Sequence, residues 1–428
     1  GPKPSAVLSS APPPDSAASR YRWRRMRARL RILVTTYQIV TALPFVLAIT
    51  FPEAFREFLA LFSVLNLSWF RLLPMECVEP EWDFAHVLVT TTLLPLGVAA
   101  VGYAVYQLQR CLEAEAVRRS VDAAWSEMAL LFTYLIFPGV SAVIFSAFGT
   151  DTVSETDDLG DCGDGNRCET YMRADYSIEV GSDKHAFCVA WASAMVFVYP
   201  VGIPALYLML LWSRRRLLNP AAGDDGSRFY DERLVHVRFL FESYRCGAWW
   251  WEIAESLRRL MLTGALVVFF EGGLLQILIG LVVGLVFLMF FEYYSPFDEP
   301  SDASLAFVAQ VQVLLTLTGA VGVHQHALAD DEEDESEVLG ALLVAVNLLS
   351  LALFLFILTV ELRGHQFALR ETKRPAKEGA WVAARAAAAA ATPLGGAGDG
   401  EGAAEPQVEM QDLYQVSAHA SSAGGWAG

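Results

Sequence analysis

The stretch FCVAWASAMVFVYPVGIPALYLMLLW, residues 187–212, holds 26 residues without one charged side chain. A helix needs about 20 apolar residues to cross a hydrocarbon core of roughly 30 Å, so this run predicts a membrane span. Seven similar runs lie on either side of it, at 32–51, 86–108, 128–148, 249–270, 273–291, 304–324 and 338–360. Together they predict an all-α fold: a polytopic helical membrane bundle of about eight transmembrane helices over residues 32–362. The composition of the 428 residues agrees, with 54% hydrophobic, 18% charged and a mean hydropathy of +0.37, and excludes a water-soluble enzyme.

Between the first two runs, FREFLALFSVLNLSWFRLLP at 55–74 carries Arg56, Glu57, Asn66 and Arg71. That pattern predicts an amphipathic helix lying at the interface in preference to another crossing.

Lys and Arg are retained on the cytoplasmic side of a membrane protein, so eight spans can be oriented by counting them. The termini and even-numbered gaps hold 26 of the 31 cations, and the opposite face holds only Arg56, Arg71, Arg167, Arg173 and Lys184. Both termini are therefore expected in the cytoplasm, at the plasma membrane or an endomembrane. The outer segments carry 24 of the 48 Asp and Glu residues, so almost all of the net charge of −17 faces outward. Asp157, Asp158, Asp161 and Asp164, with Asp330, Asp331 and Asp334, form acidic outer clusters that concentrate inorganic cations. The plainer reading is that they keep those loops solvated.

Cys77, Cys162 and Cys168 fall in outer segments, Cys188 at the outer end of 187–212, and Cys111 and Cys246 inside. An oxidising exterior favours disulfides among the first four, and four cysteines permit three pairings that the sequence does not choose between. The spacing of Cys162 and Cys168 is too loose for a zinc site, and no metal or cofactor is expected.

Residues 1–19 are rich in Pro and Ser and read as disordered, as does the Ala- and Gly-rich cytoplasmic tail from 363 onward. The chain begins at Gly1, so an upstream outer region is expected. RYRWRRMRARLR at 20–31 holds seven arginines beside the first span. It predicts a juxtamembrane segment that attracts anionic lipid, and its position argues against nucleic acid.

Ionisable groups inside spans mark functional sites by default. In FLFESYRCGAWWWEIAESLRRLMLTG at 239–264, Glu255 stands three and four residues before Arg258 and Arg259, with Glu252 on the same stripe. These four are candidates for gating or permeation, against the plainer reading of an interfacial salt-bridge cluster below a tryptophan belt. Gln310, Gln312 and Asn347 join them as polar groups in the last two spans, where helix packing is the competing role. Pro138, Pro200 and Pro204 are candidate helix kinks, each able to free backbone carbonyls near a wet cavity. No phosphate loop, zinc-protease, nucleophile-elbow, potassium-filter or voltage-sensor pattern occurs.

YQIVTALPFVLAITFPEAF (37–55), LLPMECV (72–78), MRADYSIEV (172–180), YPVGIPALY (199–207), WWWEIAESLRRLMLTG (249–264) and SPFDEPSDASLAFVAQVQ (295–312) together resemble an algal and protist family of multi-pass proteins. These carry transient-receptor-potential-like, polycystin-like C-terminal transmembrane domains. The resemblance covers about residues 30–362 and implies a multi-span helical fold and a cation-channel-like role. A homo-oligomer is a separate expectation. The expectation is therefore a cation-permeable channel. A membrane anchor for an upstream extracellular domain and a lipid scramblase or solute transporter are the alternatives.

Overall fold

A computed structural model describes residues 14–62, 82–154, 168–220, 227–229, 231–269, 273–329, 337–361 and 363. The chain divides into a compact unit over Gly1–Val360 and a second, Glu361–Gly428, described only at Glu361 and Arg363. The first unit is an all-α bundle with one small sheet.

The principal helices are α1 (Pro14–Leu47), α2 (Glu53–Phe62), α3 (Phe84–Leu112), α4 (Glu115–Ser146), α5 (Asp183–Val198), α6 (Gly202–Trp212) and α7 (Trp251–Leu260). After α7 a π-helical segment, Met261–Ala265, leads into Leu266–Phe269, and α8 (Leu274–Tyr294), α9 (Pro300–Ala329) and α10 (Glu337–Glu361) follow. Seven helical stretches are long and apolar enough to cross a membrane: Arg24–Leu47, Phe84–Leu112, Val117–Ser146, Asp183–Trp212, Leu274–Tyr294, Pro300–Gln325 and Glu337–Glu361. The expected span at 249–270 forms a helix too, but its four charged side chains separate it from those seven.

The ends of these helices meet in a consistent way. Arg29 in the middle of α1 pairs with Asp302 at the start of α9, Nε to Oδ1 at 2.8 Å, and Arg31 pairs with Glu252 at the start of α7. At the far end of α1, the Val46 carbonyl accepts from Gln276 Nε2 at the start of α8, 2.6 Å away. The two contacts lie fifteen residues apart on α1, at Arg31 and Val46, about 22 Å along the helix.

Pro200 breaks the stretch that opened the sequence reading. α5 stops at Val198, α6 starts at Gly202, and the Val201 N–H reaches back five residues to Val196 O at 3.0 Å. A Cβ on Gly202 would lie 2.7 Å from the Phe197 carbonyl oxygen, so only glycine fits this turn. Pro204 sits in the first turn of α6, where a missing N–H costs little. Pro138 lies inside the continuous α4.

Over 55–62, the described part of 55–74, α2 is amphipathic: it buries Phe55, Phe58 and Leu59 while Arg56 and Glu57 stay exposed. Tyr37 of α1 stacks on Phe62 at 4.0 Å. Residues 63–74 lie outside the described residues.

One feature was not expected from the sequence: a three-stranded antiparallel sheet, β1 (Thr150–Ser154), β2 (Cys168–Met172) and β3 (Asp175–Glu179), in the order β1-β2-β3. It is pinned by Asp151, which pairs with Arg173 Nη2 at 2.7 Å and accepts from the Tyr176 hydroxyl at 2.7 Å. Asp175 accepts from the Phe84 N–H at 2.9 Å and Lys184 pairs with Asp83 at 2.9 Å, which joins the sheet end of the bundle to the starts of α3 and α5.

Apolar side chains fill the core and also lie exposed on the outer faces of the helices. Leu94, Val101, Tyr103, Leu108, Met289 and Phe356 are exposed, while Arg29, Glu252, Arg259, Gln312 and Asn347 are fully buried. Apolar side chains coat the outer surface of the helices, and the polar ones point at each other.

Candidate functional site

The helical repeat of α7 turns Glu252, Ser256 and Arg259 toward the bundle interior and leaves Leu257 on the outside. Trp251 anchors the start of the helix against Phe291 of α8 at a ring separation of 6.2 Å. Glu252 then stands between two guanidiniums. Arg31 of α1 pairs with its Oε2, Arg259 Nη2 lies 3.5 Å from its Oε1, and the Tyr244 hydroxyl donates to Oε2 at 2.8 Å. Burial, reinforced by the charge of Glu252, pushes the Tyr244 hydroxyl well above its usual range, so it remains a donor.

Tyr134 of α4 supports both arginines. Its ring lies 4.0 Å from the Arg259 guanidinium carbon and 5.3 Å from that of Arg31, and its hydroxyl donates to the Arg31 carbonyl at 3.0 Å. Gln38 of α1 accepts from Arg259 Nη1 at 3.4 Å. Four segments, α1, α4, α7 and residues 239–244, where the Phe239 carbonyl accepts from Arg31 Nη1 at 2.6 Å, converge on the group around Glu252.

Glu255 and Arg258 pair with each other one turn along, three residues apart. The stripe read from the sequence is thus split: Arg258 goes to Glu255, and Arg259 goes to Glu252, seven residues back. Gln310 of α9 joins this group, since it lines the same cavity as Arg31, Glu252, Glu255 and Arg258, a space of about 30 Å³.

Gln312 and Asn347 belong elsewhere. Gln312 Nε2 donates to Asn347 Oδ1 at 2.9 Å, Asn347 Nδ2 donates to Thr316 Oγ1 at 3.0 Å, and the Tyr37 hydroxyl donates to the Asn347 carbonyl at 2.7 Å. This network ties α1, α9 and α10 together at mid-height and matches the packing role of such groups.

Arginines of the polybasic segment also pair within the chain. Arg25 pairs with Glu299 at 3.6 Å, Arg27 with Glu127 and Glu242, Arg29 with Asp302 and Arg31 with Glu252. Four of its seven arginines thus satisfy carboxylates of this same chain. The side chains of Arg20 and Arg22 lie outside the described residues.

Cys188 is a buried free thiol on α5. Cys77, Cys162 and the side chain of Cys168 lie outside the described residues, as do Asp157, Asp158, Asp161, Asp164, Asp330, Asp331 and Asp334.

Sequence reasoning missed Arg31, Tyr134, Gln38 and Tyr244 as members of the site. The available signal was Glu299 and Asp302 in SPFDEPSDAS: two carboxylates at the start of a span need cations at the same level, and the arginine run beside the first span is the nearest supply. Comparisons with protein-family models, with curated proteins and with solved structures match nothing, and the site rests on its own geometry.

Proposed function

We propose that this chain is an integral membrane protein with eight crossings and both termini in the cytoplasm, and that it forms the membrane part of a cation-permeable, transient-receptor-potential-like channel. Residues 251–269 supply the eighth crossing. The Arg31–Glu252–Arg259 group couples the cytoplasmic ends of α1, α7 and α9 and sets the open and closed arrangements of the bundle.

The observation that carries this reading is the complete burial of Glu252 and Arg259 inside an apolar bundle. Taking such groups out of water costs several kcal/mol per ion, roughly, and a chain retains them where they do something a leucine cannot. The outward display of 24 carboxylates favours cations over anions as the permeating species.

The anchor reading has one observation of its own. Gln312, Thr316, Asn347 and Tyr37 bond to one another, which is how helices are glued with no path between them.

Reconstitution separates the two. Purified chain in liposomes is expected to pass monovalent cations, and Glu252→Gln is expected to change that flux at least several-fold at equal protein incorporation. Liposomes that hold the folded chain and show neither cation flux nor lipid scrambling would favour the anchor.

A further inference from the structure

The cavity beside Glu252 is lined by four charged side chains, Arg31, Glu252, Glu255 and Arg258, whose formal charges cancel. Among the side chains that line it, Gln310 Oε1 and Arg31 Nε are buried and have no hydrogen-bond partner, while Glu252 Oε1 faces Arg259 Nη2 at 3.5 Å. Gln310 is 6% exposed, so bulk water does not satisfy it. One of the two unpartnered atoms accepts and the other donates. An occupant that answers both must donate and accept, and an electroneutral wall penalises one with net charge.

A hydroxyl meets this requirement with its one O–H and its lone pairs. The rest of the lining is largely apolar, with Ile32, Trp251, Phe291 and Phe297. The space of about 30 Å³ admits a head of about two heavy atoms and excludes a phosphate-bearing headgroup. Ile32 and Glu255 are partly exposed and mark the rim through which a tail would leave.

We propose that this cavity binds the alcohol headgroup of a neutral amphiphile drawn from the bilayer. The hydroxyl donates to Gln310 Oε1 and accepts from Arg31 Nε, and the first methylenes lie against Trp251 and Phe291. The inference rests on the membrane reading of the bundle and is independent of ion flux.

Thermal unfolding of the full chain in detergent, with 1-octanol, octanoate, octylammonium and glycerol as probes, tests it. Octanol is expected to raise the midpoint by about 2 °C or more, and the other three much less. Gln310→Leu removes an acceptor and is expected to abolish the octanol shift. Ala309→Val fills the cavity from another wall, keeps every polar group and is expected to abolish it too, so a folding defect in one variant leaves the other informative. A glycerol shift equal to that of octanol would assign the site to a soluble alcohol and overturn the membrane source. An octanol shift matched by either ion, one that persists in both variants, or no octanol shift at all, as when water alone fills the space, would overturn the proposal. None of these readings needs a current, so failure here is distinct from failure of the channel reading.

Discussion

Glu252 is the residue on which the interior depends. One carboxylate holds two guanidiniums that would otherwise face each other across a dry core, and Glu252→Gln leaves both uncompensated. The expected loss is about 3–5 kcal/mol, read from unfolding in detergent. Glu255→Gln should cost less, about 1–2 kcal/mol, because its side chain is 16% exposed at the cavity rim and water takes over part of its role. Equal losses in the two variants would contradict this ranking. Charged residues in a long apolar run are conspicuous in a sequence, so Glu252, Glu255, Arg258 and Arg259 were legible as a group. Their pairing was not. Arg31 is 221 positions from Glu252, and no local rule distinguishes an arginine bound for a headgroup from one bound for a buried carboxylate.

At the scale of elements, the broken helix at Tyr199–Val201 was legible in Pro200 and the adjacent glycine, because proline removes a donor wherever it falls. Gly202→Ala drives a Cβ against the Phe197 carbonyl, a backbone atom that cannot swing aside, and is expected to destabilise by about 1–3 kcal/mol. Gly97→Ala is the control: nothing lies within 4 Å of the new Cβ, so replacing a mid-helix glycine should stabilise by about 0.5–1 kcal/mol. Unfolding midpoints of the two variants moving in the same direction would contradict the close approach at Gly202. The sheet could not be read from sequence, because its strands are five residues long and rich in Asp, Glu and Thr, and only β3 alternates, with Tyr176 and Ile178. Its stability is electrostatic in part. Burial would raise the Asp151 carboxyl, but hydrogen bonds from Arg173 and Tyr176 outweigh it and hold that group below the usual carboxylate range. Burial likewise would raise Asp175, and the bonds from Ser177 and the Phe84 N–H hold it down. A depressed carboxyl contributes stability that is complete above its unfolded value, roughly 4, and lost as pH falls through the lower folded value. Hydrogen-exchange protection of β1 to β3, corrected for intrinsic rates, is therefore expected to fall selectively below about pH 4. Protection unchanged at pH 3, or lost already at pH 6, would contradict the assignment.

For the whole molecule, the hydropathy pattern made the helical fold legible, since long uncharged runs have few other physical outcomes. The packing adds an independent regularity. The starts of α7 and α9 meet the middle of α1 through Glu252 with Arg31 and Asp302 with Arg29, and the end of α1 meets the start of α8 through Val46 and Gln276. That alternation matches the distribution of cations along the sequence, 26 at one set of segments and 5 at the other. The helix at 251–269 is the element on which the count turns. Read as a crossing, it makes eight and returns both ends to one side; read as a helix confined to one face, it makes seven and reverses every segment after it. Thiol accessibility decides between them. In an otherwise cysteine-free chain, a single cysteine at Glu271→Cys is expected to react with a membrane-impermeant maleimide in intact cells, and one at Gly226→Cys only after permeabilisation. Labelling of both positions from the same side would contradict the eight-crossing arrangement and the placement of the Arg31–Glu252–Arg259 group within it.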